Sequence, residues 1–162
     1  MRVNRICLIA FATFLIVLGG AATAGEARRV ESALAALRAD LKGARVVRAR
    51  IFSIPYSTFT TFTVTPDLLE THSRSRKIVV EMTPELIDGL IKSIDLVRVY
   101  GVYNDAVDLK WGAVFFGKDG ARLHAIYLDG AYGIGRRANI GGINVELNES
   151  MLVWFENTFR TR

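Results

Sequence analysis

The 162-residue chain contains two histidines, His72 and His124, and one cysteine, Cys7. Metal sites take such donors in close pairs, because one turn of chain must aim two ligands at a single ion. Neither histidine has a second His or a Cys three to five residues away. The stretch Asp105 to Asp108 lacks the alternating acids and central glycine of a calcium loop. No metal and no cofactor is expected. A nucleophile would need a hydroxyl beside a base and an oxyanion pocket. The chain has no G-x-S-x-G elbow and no S-x-x-K, and the adjacent His72 and Ser73 point apart. Carboxylate pairs can be drawn from Asp105, Asp108, Asp119, Asp129 and Glu146. With 16 acids such pairs are close to chance, and Asp119 reads as a turn residue and Asp129 as a strand end.

Gly130 to Arg137 (GAYGIGRR) suggests a phosphate loop. Its third glycine is out of register, and no helix follows to turn its N-terminus toward an anion. Hairpin glycines that allow twist and bulges account for it better. Arg136 and Arg137 remain candidates for meeting an anionic partner. Other basic residues cluster at Arg45, Arg48 and Arg50, and at Arg74, Arg76 and Lys77. Both groups read as solvated strand faces, with phospholipid head groups or acidic glycans as the available targets. The aromatics Phe59 and Phe62 stand in the Thr-rich run 56–65 and are the remaining binding candidates. Nucleic acid is not an expected partner, because the chain opens on an export signal and carries a weak positive field.

That signal has three parts: a basic head (Arg2, Arg5), an apolar run from Ile6 to Leu18, and the small-residue end Ala22-Thr23-Ala24. Cleavage is expected between Ala24 and Gly25 by a Sec-type route, leaving 138 residues in the periplasm or secreted. Cys7 leaves with the signal. So do Arg2 and Arg5, and the net charge falls from +5 to +3. Much of the positive mean hydropathy, +0.25, also belongs to this segment. No second run of 18 apolar residues follows, so no span is expected after cleavage.

Residues 25–162 read as one domain. Val30, Leu34, Leu37 and Leu41 form one stripe of a helix over 27–42, ended by Gly43. Arg45 to Ile54 alternates like a strand wetted on its arginine side. Thr65-Pro66-Asp67 and Thr83-Pro84-Glu85 are helix starts, each with a capping hydroxyl, a proline and an acid in the first turn. Arg76 to Met82 reads as a strand, 84–94 as a helix, and 97–102 as a possible short strand. Leu109 to Phe116 and Arg122 to Leu128 form a hairpin. Trp111, Phe115 and Tyr127 occupy one set of alternating positions, and Val114, Phe116 and Ile126 the other. Tyr132 to Ile140 and Ile143 to Leu147 form a second hairpin around Gly141-Gly142, and Asn148 caps a terminal helix. Its match to a glycosylation sequon is better explained by that role.

Hairpins need no crossover, so the expected fold is α+β, a mainly antiparallel sheet of about five to six strands with helices on one face. The functional expectation is an exported, non-catalytic binding module, inhibitor- or immunity-like, with a protein or anionic envelope component as partner. The alternatives are a small hydrolase of envelope polymers using paired carboxylates, and a carrier holding a small ligand between sheet and helices.

Overall fold

Val30, Leu34, Leu37 and Leu41 are all buried, and they fix the second half of helix α1 (Arg5–Lys42) onto a sheet. The computed structural model describes residues 5–55, 62–129, 136–148 and 150–160, with side chains from residue 24 onward except that of Arg136. The elements after α1 are β1 (Arg48–Ser53), α2 (Pro66–Thr71), β2 (Arg76–Glu81), α3 (Pro84–Leu96), β3 (Val99–Tyr103), β4 (Leu109–Phe116), β5 (Arg122–Asp129), β6 (Arg136–Ile140), β7 (Ile143–Leu147) and α4 (Ser150–Arg160). The seven strands form one antiparallel sheet in the order β2-β1-β4-β5-β6-β7-β3. The α+β reading stands, with seven strands where five to six were expected. The additional strand is β3, whose pairing with β7 carries a bulge between Val99 and Gly101.

Helix α1 begins well before residue 27, because Gly19 and Gly20 cost helix stability without breaking it. Its end also departs from expectation. The left-handed residue is Ala44 (φ 52°), one beyond Gly43. The N–H of Gly43 donates to the Ala39 carbonyl and that of Arg45 to the Asp40 carbonyl. Thr65 and Thr83 cap α2 and α3 as predicted, each hydroxyl accepting the N–H three residues on. Asn148 braces two elements. Its Oδ1 accepts from the Arg98 N–H and the Ser150 hydroxyl, and its Nδ2 donates to the Leu96 carbonyl.

Helices α1, α3 and α4 pack on one face. There Ala49, Ile51, Ala113, Phe115, Ile126, Leu128, Val145 and Leu147 meet Leu90, Trp154 and Phe155. Phe155 and Phe159 set their rings edge-on to Trp111, and Trp154 Nε1 donates to the Leu86 carbonyl, joining α4 to α3. The hairpin register refines the expected faces: Ala113 pairs with Ile126 and Gly112 with Tyr127. Ile126 therefore joins Trp111 and Phe115, and Tyr127 joins Val114 and Phe116 on the second face.

The second face has its own smaller core of Phe52, Ile54, Val64, Leu69, Val107, Leu109, Val114 and Tyr127. Its cover is α2 with the segments 62–65 and 104–108, placing one short helix on the face opposite the other three. Backbone and charge hold that cover down. The Val64 N–H donates to Asp108 Oδ1 (2.9 Å), the Leu109 N–H to the Val64 carbonyl (3.0 Å), and Lys110 Nζ pairs with Asp108 Oδ2 (3.1 Å).

Candidate functional site

Side chains alternate along a strand, so the antiparallel register sorts the second face into rows. One row runs Glu81, Arg48, Phe116, Arg122; the next runs Val79, Arg50, Val114, Ala125; the third runs Lys77, Phe52, Gly112, Tyr127. Leu69 of α2 packs over Gly112 in the third row. The first two rows bear the exposed arginines. There the guanidinium carbons of Arg48 and Arg50 stand 5.8 Å and 5.5 Å from the centroid of the half-buried Phe116 ring. Cation–π attraction and the flat shape of guanidinium both favour this stacking. Residues i and i+2 of a strand lie about 6.6 Å apart, so two like charges share one ring. Among the described residues neither guanidinium has a carboxylate within ion-pairing distance, although Glu81 is Arg48's cross-strand neighbour.

Arg122, at the end of the first row, is engaged. Its guanidinium donates to the Tyr127 hydroxyl (2.5 Å) and pairs with Glu70 Oε1 (3.1 Å), and the Tyr127 hydroxyl donates to the same carboxylate. Burial, reinforced by that carboxylate, pushes the Tyr127 hydroxyl well above its ordinary pKa and keeps it a neutral donor. The triad ties α2 to β5 and marks the border between covered and open halves of the face. Below that open half, Gly43, Ala44 and Arg45 face Gly117, Lys118 and Asp119 across an open depression of about 360 Å³.

Two further polar clusters stand elsewhere. On the second face at the β6-β7-β3 side, Arg137 lies over the Tyr103 ring (5.0 Å), and the Tyr103 hydroxyl donates to Glu146, which raises its pKa. Asn139 Nδ2 donates to Asn144 Oδ1 (2.8 Å) beside them. On the helix face, His124 Nε2 lies 2.8 Å from Asp40 Oδ2, and Arg45 pairs with Asp40 Oδ1 (2.9 Å). A carboxylate only accepts, so with Asp40 ionised Nε2 carries the proton. The hydrogen bond from His124, with the Arg45 charge beside it, holds the Asp40 carboxyl below its usual range. This pair clamps the last turns of α1 to β5.

Of the predicted binding residues, Phe59 and the Arg136 side chain lie outside the described residues, as do residues 130–135. Phe62 is exposed, with its ring 5.9 Å from that of His72. Arg137 lies at the start of β6, opposite Glu146 and away from the Gly141-Gly142 turn. Four of the five candidate acids have side-chain partners: Asp108 holds Val64 and Lys110, Asp119 accepts from the Ala121 N–H within its turn, Asp129 accepts from the Arg137 N–H, and Glu146 accepts from Tyr103. Among residues whose side chains are described, no group of three or more His, Cys, Asp or Glu is arranged to hold a metal ion, and no helix is long and apolar enough to cross a membrane.

By sequence Arg48 and Arg50 read as a solvated strand face, with phospholipid head groups or acidic glycans as available targets. Their i, i+2 spacing was the available signal, but Phe116 lies far along the chain and only the β1–β4 register brings it beneath them. No protein-family model, curated protein or solved structure matches the chain.

Proposed function

We propose that this is an exported, non-catalytic binding module that holds an acidic component of the cell envelope on the open half of its second sheet face. One observation carries the reading: Arg48 and Arg50 lie over one aromatic ring, and among the described residues no carboxylate pairs with either. Most arginines near them are otherwise occupied; Arg45 is paired with Asp40, and Arg122 with Glu70. At a separation of about 6.6 Å, the strand spacing of their residues, two like charges repel by roughly 0.6 kcal/mol even in water. An anion placed between them removes that repulsion and gains charge-assisted hydrogen bonds from both. Holding both guanidiniums against one ring lowers the entropy lost on binding. Lys77, exposed two rows away on the same face, widens the positive field.

The test is salt-dependent retention on a sulfated polysaccharide matrix. Arg48→Gln/Arg50→Gln should elute at clearly lower salt than the parent protein. Arg28→Gln/Arg29→Gln removes the same charge from the exposed face of α1 and should elute close to the parent. Equal shifts for both double variants would reduce the effect to net charge and overturn the site.

A further inference from the structure

We infer that the acidic component is an anionic lipid surface, against which the second face docks flat; this rests on the reading above. Arginines alone do not choose between a lipid surface and a soluble polyanion. The exposed apolar side chains on the same side of the sheet do. Val79, Phe62 and Leu68 are large, apolar and exposed, and all lie on the side of the sheet that carries Arg48 and Arg50. Val79 is next to Arg50 in its row, and more than half of its surface is open to solvent (58%). It lies on β2, a sheet edge, with Lys77 and Glu81 pointing the same way. Phe62 and Leu68 belong to the cover of the second core, Phe62 just before α2 and Leu68 on its outer side, across from Leu69.

A soluble acidic glycan offers charge but little to bury an exposed valine, leucine and phenylalanine. A bilayer surface offers both, because phosphate oxygens lie level with the guanidiniums and acyl chains just beneath receive the apolar side chains. Both guanidiniums lie near the Phe116 ring, so exposed charge and half-buried apolar surface meet at one place on this face. Alternating basic and apolar side chains on a broad surface are the pattern expected of a peripheral membrane face.

The experiment is co-sedimentation of the whole protein with vesicles of phosphatidylcholine alone and of phosphatidylcholine with about a third phosphatidylglycerol. Any contribution of the apolar segment 6–18 is common to all variants, so the readout is the ratio of binding to the two vesicles. The parent protein should favour the anionic vesicles, less so as salt rises. Each arginine near an anionic surface contributes about a factor of five, so Arg48→Gln/Arg50→Gln should lower that preference about 20- to 30-fold. Val79→Ser/Phe62→Ser should weaken binding to anionic vesicles several-fold and leave retention on the sulfated matrix unchanged. Retention on the soluble polyanion without vesicle preference, or vesicle binding indifferent to Val79→Ser/Phe62→Ser, overturns the lipid assignment and leaves the acidic-partner reading standing. Binding to neither probe overturns both.

Discussion

A methyl group added at Gly112 tests how firmly the covered half of the second face is built. Gly112 lies in the third row between Phe52 and Tyr127. The new carbon would stand 2.8 Å and 3.2 Å from Tyr127 Cδ1 and Cε1, and 3.0 Å from Leu69 Cδ2. Carbon atoms rest comfortably about 3.5–4.0 Å apart, so the methyl is crowded from two directions. Neither neighbour yields easily. The Tyr127 hydroxyl is bonded to Glu70 and Arg122, and Leu69 is fully buried beneath α2. Overpacking of this kind costs about 1–3 kcal/mol, and crowding against an anchored ring places Gly112→Ala at about 2–3 kcal/mol. For a domain of this size that is a fall in Tm of about 5–10 °C.

Thermal and urea unfolding followed by circular dichroism give the number, and a double-mutant cycle gives its cause. Tyr127→Leu replaces the anchored ring with a shorter side chain that can rotate away. In that background Gly112→Ala should lose most of its cost, a coupling of about 1.5–2 kcal/mol. A Tm for Gly112→Ala within about 1 °C of the parent would refute the packing argument. So would an equal cost in both backgrounds, since strain would then come from somewhere other than the tyrosine.

Three other perturbations probe the scaffold. Ala44→Gly relieves a left-handed alanine at the end of α1 and should stabilise by about 1 kcal/mol in urea unfolding. Asp40→Asn removes the charge that holds His124 and Arg45. The native Asp40 pKa is lowered, so its contribution is present above the ordinary carboxylate range and lost as pH falls through the lowered value. The variant should therefore be weaker by up to about 1 kcal/mol at pH 7, and the gap should close as the pH falls through the lowered value. Phe155→Ala empties a fully buried site edged by Trp111 and Trp154 and should cost about 3–5 kcal/mol, read as a lower urea midpoint.

Most elements were legible because their signals are local. The stripe Val30, Leu34, Leu37, Leu41 and the two Thr-Pro helix starts depend on spacings of four residues or fewer. The Gly141-Gly142 hairpin has both glycines at positive φ (59° and 81°), as a two-residue turn of its hand requires. Long-range pairing was less accessible. The sequence of β3, VYGVY, has strand character, but its partner β7 begins about forty residues later. Tyr127 could be assigned to either face until the β4–β5 register was known, and that register shifts at both ends of the hairpin. The candidate site suffered most. Arg48 and Arg50 are near neighbours in sequence, but the ring that gathers them and the carboxylate that occupies Arg122 come from β4 and α2.

The open half of the second face has a competing structural explanation that can be separated by experiment. Six residues of α2 cover only about 9 Å, whereas an eight-residue strand such as β4 extends about 27 Å, so part of the sheet must remain bare. Phe116 lies in the bare part, and arginine stems are serviceable covers for an exposed ring. If shielding Phe116 were the whole role of Arg48 and Arg50, their charge would be dispensable and their methylenes would not. Arg48→Met/Arg50→Met preserves much of the apolar length over the ring and deletes both charges. Stability should then hold within about 0.5 kcal/mol, because surface changes that retain packing cost little, while retention on the sulfated matrix and preference for anionic vesicles should fall as far as in the glutamine variant. A methionine pair that keeps anion binding would assign the arginines to cover alone. Loss of binding with stability intact follows only if the guanidinium charges themselves meet the ligand.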